Sequence, residues 1–162
     1  RRCRRNGAIS RGRICGGDHM SKQATVKSPL TMDFLEKLHS LPERRAVKLI
    51  KENHNPQMFG NSLAFKISVG DLLVEVSTQD PAVPFEIDLR RADFRAWARA
   101  SHLRSFFLKH DDPQWSVPDA QLRDWLFANF EEVYALLCEP IFADKLAKFR
   151  AFSRSLDEKR QL

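Results

Sequence analysis

The spacing of apolar residues along the chain switches from three or four to two, and then back again. Near the start, "SPLTMDFLEKLHS" sets Met32, Leu35 and Leu38 at helical intervals, with Ser28, Pro29 and Thr31 as start signals. "SLPERRAVKLIKEN" continues that spacing through Ala46, Val47, Leu49 and Ile50. In it Ser40 and Glu43 stand at the capping-box offset, Pro42 falls in the first turn, and Pro56 beyond sets a stop. The pattern predicts a second helix over 40–53.

Strict alternation follows. In "SLAFKISVGDLLVEVS", Leu63, Phe65, Ile67 and Val69 alternate with Ala64, Lys66 and Ser68; after Gly70-Asp71, Leu72, Val74 and Val76 alternate with Leu73, Glu75 and Ser77. This predicts a hairpin with one apolar face. "PFEIDL" puts Phe85, Ile87 and Leu89 on one side and Glu86 and Asp88 on the other. A third strand there would complete an antiparallel meander that needs helices on one side only.

Helical spacing then returns three times, predicting helices over 91–108, 118–138 and from 141 onward. Pro118 and Pro140 supply start signals, and Ser116 with Asp119 approximates a capping box. The 118–138 segment is apolar over a wide arc (Leu122, Trp125, Leu126, Phe127, Phe130, Val133, Tyr134, Leu136, Leu137), so a central helix touching several neighbours is expected. The last segment has a narrower stripe, Ile141, Phe142, Leu146, Phe149, Phe152 and Leu156, which suits packing on one side. Twelve of the sixteen aromatic residues lie from Phe94 to Phe152, which places the main core in that half. The expected fold is α+β: two N-terminal helices, a three-stranded antiparallel meander, and three C-terminal helices packed on the sheet.

Bulk properties fit one domain: 162 residues, 43% hydrophobic, are enough for a real core. No apolar run approaches the roughly 18 residues needed to cross a bilayer. No apolar segment follows the charged N-terminus as a secretory signal requires, so a cytoplasmic protein without a membrane partner is expected. Cys3, Cys15 and Cys138 are odd in number and lack metal-ligand spacing, which argues against a disulfide framework and a zinc site. Cys138 sits in an apolar helical pattern and reads as a small core residue.

The net charge of +6 is unevenly placed. Residues 1–19 hold six arginines (Arg1, Arg2, Arg4, Arg5, Arg11, Arg13) against Asp18, or +5, whereas 20–162 hold 21 Lys+Arg against 20 Asp+Glu, or +1. The first methionine, Met20, lies inside "ICGGDHMSKQ". Gly16-Gly17 can be encoded GGA-GGN, which contains the bacterial ribosome-binding core GGAGG at an ordinary distance from that methionine. His19-Met20 is also what the cloning site CATATG encodes. The expectation is a start at Met20 in a bacterial or phage gene, with 1–19 a translated leader or vector-derived basic tail, 20–29 a flexible lead-in and 30–162 a single globular domain. The competing reading is an arginine-rich arm that neutralises phosphates; it lacks helical patterning and runs into the polar stretch "SKQATVKSP".

Three groups of residues carry candidate chemistry. Arg95, Arg99 and His102 recur at i, i+4 and i+7, with Lys109 near the same predicted face and Arg90 and Arg91 before it, a stripe suited to tracking phosphates. Arg44, Arg45, Lys48 and Lys51 lie on the predicted 40–53 helix, which with the following hairpin has the element order of a winged helix-turn-helix, without the earlier helix that packs behind such a pair. Asp71, Glu75, Glu86 and Asp88 lie in or beside the strands and could gather Mg²⁺ for phosphodiester hydrolysis; a sheet nuclease would want a lysine two residues after Glu75, where Ser77 stands.

No nucleophile elbow, phosphate-binding glycine loop, His-Glu metalloprotease spacing or dinucleotide fingerprint is present, and the five histidines form no cluster; neither a cofactor nor a metal is implied. The expectation is a non-catalytic accessory protein. It would bind another protein, or itself, through aromatic surface including Phe106 and Trp115. Nucleic-acid binding through the 40–53 helix or the Arg95/Arg99 stripe is the alternative, and a Mg²⁺-dependent nuclease the second.

Overall fold

The computed structural model describes residues 27–55, 62–78, 86–110 and 119–160. The tail, most of the lead-in, Phe85, Trp115 and Ser116 lie outside those residues. Helix α1 spans Pro29–His39 and starts as its sequence directs: Ser28 caps it, its hydroxyl accepting from the Thr31 amide at 3.1 Å, and Pro29 occupies the first turn. Thr31, Phe34, Leu35 and Leu38 form its buried face.

The predicted helix over 40–53 is not formed. Ser40, the expected cap of that helix, closes α1 instead: its amide donates to Glu36 O at 3.0 Å and its hydroxyl to Lys37 O at 2.8 Å. The chain then turns and runs as strand β1, Val47–Asn55. Val47 and Leu49 face partly inward and Lys48 outward; the alternation slips at a bulge between Leu49 and Lys51, leaving Ile50 51% exposed. The bulge hid the strand, since it puts apolar residues side by side and imitates a helical stripe. Glu52 ties β1 to α1, accepting from the Ser28 amide at 2.8 Å and from the Thr31 hydroxyl at 2.9 Å.

Strands β2 (Ser62–Val69) and β3 (Leu72–Thr78) make the expected hairpin across Gly70-Asp71. Gly70 has φ +56°, and an added Cβ would lie 2.9 Å from the Tyr134 hydroxyl, so both backbone and space demand glycine. Strand β4, Glu86–Arg91, pairs with β3, and the two-residue β5, Ala98–Arg99, pairs with β4. The sheet is a five-stranded antiparallel meander in the order β1-β2-β3-β4-β5, two strands wider than expected. Its apolar face falls where alternation places it: Leu63, Phe65, Ile67, Val69, Leu72, Val74, Val76, Ile87 and Leu89 are all buried.

The helix expected over 91–108 begins only at Ala100, as α2, Ala100–Leu108. Arg91 continues β4 to pair with Leu72, and Ala98-Arg99 return to pair with Leu89 and Asp88, so 92–97 must be a connection. The 118–138 helix is broken into α3 (Asp119–Ala128) and α4 (Phe130–Cys138) at Asn129, whose side-chain amide donates to Trp125 O at 2.8 Å. Glu131 and Glu132 in the first turn of α4 favour a fresh start there. After a 3₁₀ turn at Pro140–Phe142, α5 runs over Ala143–Arg160.

Helices α1, α4 and α2 contact β1/β2, β3/β4 and β4/β5 in turn, and α5 packs against α2 and α4. The core draws on both halves of the chain: Phe34 meets Phe65 edge-on at 5.4 Å, while Phe130, Leu136, Leu103 and Phe149 close it from the other side. The α5 stripe packs one-sidedly through Phe149 and Leu156, but Ile141 stands 82% exposed. Cys138 packs half-buried against the core, where burial pushes its thiol up to about 11. No helix among the described residues is long and apolar enough to cross a membrane.

A candidate anion-binding cleft at the sheet edge

The connection between β4 and β5 faces α5, and the two line a cleft of about 350 Å³. Its walls carry Arg90 and Arg91 from the end of β4, Phe94 and Trp97 from the connection, and Arg150, Ser153, Arg154 and Asp157 from successive turns of α5; Leu137, Leu146 and Phe149 add apolar surface. Four guanidinium groups meet one carboxylate there. The two rings are 43% (Phe94) and 39% (Trp97) exposed, among the most exposed large apolar side chains described.

Each ring has a cation on it. The Arg150 guanidinium lies 4.5 Å from the Phe94 ring centre, Arg90 lies 4.6 Å from that of Trp97, and Lys66 Nζ is 5.3 Å from the same indole. Arg90 also donates from Nη1 to Phe94 O at 2.6 Å, which holds the connection in shape. Arg91 is bound in bidentate fashion by Asp93, Nε to Oδ1 at 2.6 Å and Nη2 to Oδ2 at 2.5 Å; that pairing raises the arginine and lowers the aspartate from their ordinary values. Arg154 makes no hydrogen bond, ion pair or ring contact among the described residues. It is a cation in the cleft with its donors available.

Beneath the cleft, His102 is 2% exposed, with Nδ1 at 2.7 Å from Ser153 Oγ and Nε2 at 4.0 Å from Asp157 Oδ1. Asp157 also lies 3.8 Å from Arg99. Arg99 begins a row that crosses the sheet face away from the core by register: Arg99 beside Asp88, Asp88 beside Glu75, Glu75 beside Lys66. Lys66 Nζ and Glu75 are 2.9 Å apart. Burial raises the Asp88 carboxyl to about 6, Glu86 and Glu75 adding to the rise and Arg99 opposing it.

The structure distributes the sequence-derived candidates differently from the expected faces. Arg95 is exposed in the β4–β5 connection, Arg99 is in β5, His102 points into the core and Lys109 is the left-handed cap of α2 with φ 55°, so the stripe of Arg95, Arg99, His102 and Lys109 is not one helical face. Arg44, Arg45, Lys48 and Lys51 share no helix either. Lys48 and Lys51 are exposed on the edge strand, Arg44 is exposed in the preceding loop, and Arg45 is committed to structure. Its guanidinium stacks 3.9 Å from the Tyr134 ring centre, donates to Glu131 at 2.8 Å and pairs with Glu43. Phe106 is half-buried against Phe149 at 5.5 Å and Phe152 at 5.7 Å, so its ring belongs to an internal cluster. Glu75, Glu86 and Asp88 do share the sheet face away from the core, with Asp71 at the hairpin turn; among the described residues no three ligating side chains are grouped to hold a metal ion.

The residues that build the cleft, Phe94, Trp97, Arg150, Ser153, Arg154 and Asp157, belong to none of the three groups that the sequence pattern brings forward. One signal was there to find: Arg150, Arg154 and Asp157 recur at i, i+4 and i+7 on the narrow-striped last helix, on a polar side interrupted by Ser153. Comparison of the chain with protein-family models, curated proteins and solved structures found no match.

Proposed function

We propose that this protein binds single-stranded nucleic acid, with the cleft between the β4–β5 connection and α5 taking a base and its phosphate. The observation that carries the reading is the interleaving of four arginines with two exposed rings in one cleft, on a body whose net charge over 20–162 is only +1. Guanidinium groups neutralise and orient phosphates, while a ring accepts the flat face of any base, so the pair serves a polymer that offers both at regular intervals. The cleft volume is at the small end of the range for ligand sites, which suits one nucleotide and not a folded partner. This reading moves nucleic-acid binding off the Arg95/Arg99 stripe and ahead of a protein partner.

The test is fluorescence anisotropy with a short labelled oligonucleotide and the full chain, its six arginines in 1–19 replaced by glutamine so that the tail adds nothing. Replacing Arg150 and Arg154 together with alanine should weaken binding by about tenfold or more and flatten its salt dependence by about two phosphate contacts. Affinity unchanged by that double substitution, or no binding even at low salt, would overturn the reading; an acidic peptide binding instead would return the cleft to a protein partner.

A further inference from the structure

Ser153 departs from what a hydroxyl in a helix ordinarily does. Such a group folds back on a carbonyl of the preceding turn, as Ser155 does, donating to Phe152 O at 2.7 Å. Ser153, two residues earlier on the same helix, is 2.7 Å from the buried Nδ1 of His102. Asp157, one turn further along α5, has its carboxylate 4.0 Å from Nε2 of the same ring, beyond hydrogen-bond distance but near enough to act on its charge. A carboxylate on that side favours the tautomer with the proton on Nε2, which leaves the Nδ1 lone pair to accept from the Ser153 hydroxyl. Hydroxyl, imidazole and carboxylate thus stand in the order in which a base draws a proton from an alcohol while an acid steadies the resulting cation.

We propose that Ser153 is a nucleophile, and that the cleft hydrolyses carboxylic esters bearing an anionic group and an apolar or aromatic part. Ser153 and Asp157 line the cleft directly, and His102 lies behind them in the core. Ser153 Oγ attacks the ester carbonyl carbon, forming a C–O bond as its proton passes to His102 Nδ1. The tetrahedral oxyanion collapses, the bond to the alcohol breaks, and the alcohol leaves with the proton from Nδ1. Water adds to the acyl-serine by the same route, its proton going to Nδ1 and back to Ser153 Oγ as the carboxylic acid departs. Arg154, whose donors are uncommitted among the described residues, and Arg150 supply the positive charge that an oxyanion needs; they also select an anionic substrate. Asp157 is a positioning residue, acting through His102. The inference does not rest on nucleic-acid binding: serine labelling is read without any oligonucleotide present.

The experiment treats the full chain with a fluorophosphonate, which loses fluoride to an activated serine, and reads the adduct by intact mass and peptide mapping. One phosphonyl adduct is expected, on Ser153, together with turnover of a p-nitrophenyl ester that carries a free carboxylate. Both should vanish in Ser153→Ala. Asp157→Asn, at a half-exposed position that tolerates the change, should slow labelling about tenfold or more without altering the far-ultraviolet circular dichroism, while Glu158→Gln next to it should label at the original rate. No adduct on the folded protein, an adduct that persists in Ser153→Ala, or equal rates for the Asp157 and Glu158 variants would overturn the proposal.

Discussion

Arg45, partly buried beside α4, and Arg154, exposed on α5, are both arginines at helices, and they do opposite work. Arg45 is enclosed: Tyr134 covers its face, Glu131 and Glu43 take its donors, and the ring beneath it abuts Gly70, with the Tyr134 hydroxyl accepting from the Asp71 amide at 3.3 Å. One guanidinium so joins the segment before β1, the β2–β3 turn and α4. Arg154 has no such enclosure and faces a cleft. An arginine held by two carboxylates and a ring stabilises the fold, and one whose donors are uncommitted among the described residues of a concave site is available for a ligand. Sequence counts of basic residues cannot tell them apart.

That contrast predicts a graded series of effects. The largest belongs to the enclosed side: Arg45→Ala strands Glu131 and uncovers Tyr134, and urea denaturation should show a loss of about 2–3 kcal/mol. Next, Gly70→Ala places a Cβ against the Tyr134 hydroxyl at a left-handed φ, with an expected cost of about 1–2 kcal/mol; adding Tyr134→Phe, which removes that hydroxyl, should recover part of the loss, and no recovery would detach the turn from the clamp.

Asp88 stands between the two cases, partly buried and only partly matched. Its folded value of about 6 lies above the ordinary 3.8, so the folded state holds a proton that the unfolded chain gives up first. Its contribution to stability is therefore greatest at low pH and falls as pH rises from about 4 to about 6. Asp88→Asn removes the charge; the variant should gain about 1 kcal/mol over the parent at pH 8, after discounting for its solvent contact, and nothing near pH 4. A gain at pH 4 as large as at pH 8 would assign the effect to something other than ionisation. The smallest stability effect is expected of Arg150→Ala with Arg154→Ala, within about 0.5 kcal/mol of the parent by thermal melts, even as ligand affinity falls. A large loss of stability there would dissolve the distinction between the two kinds of arginine.

The sequence made legible whatever local pattern controls alone. The Gly70 turn, the inward faces of β2, β3 and β4, and the cap of α1 at Ser28 all fall where alternation and capping chemistry put them. It misled where two local readings compete and a distant partner decides. Ser40 and Glu43 fit a helix start, but β2 offers an open row of backbone groups that Val47–Asn55 completes. Asp93 and Arg95 fit a helix, but Arg91 is drawn into the ladder with Leu72. The cleft was illegible for a plainer reason: its walls are some fifty residues apart, and only the docking of α5 brings Phe94 to Arg150 and His102 to Ser153.

The bulge at Ile50 has a bearing on how copies of this chain meet one another. A sheet ends in two rows of backbone donors and acceptors, and an exposed, flat, straight row is a template on which another extended chain can build. Here one end is only Ala98-Arg99, too short to template anything, and the other is β1, which the bulge bends between Leu49 and Lys51 while Lys48 and Lys51 set charge along it. Ile50, the apolar residue that makes this strand look adhesive in a sequence, sits at the point where the ladder is out of step. The irregularity that disguises the strand in the sequence also makes it a poorer template for another extended chain.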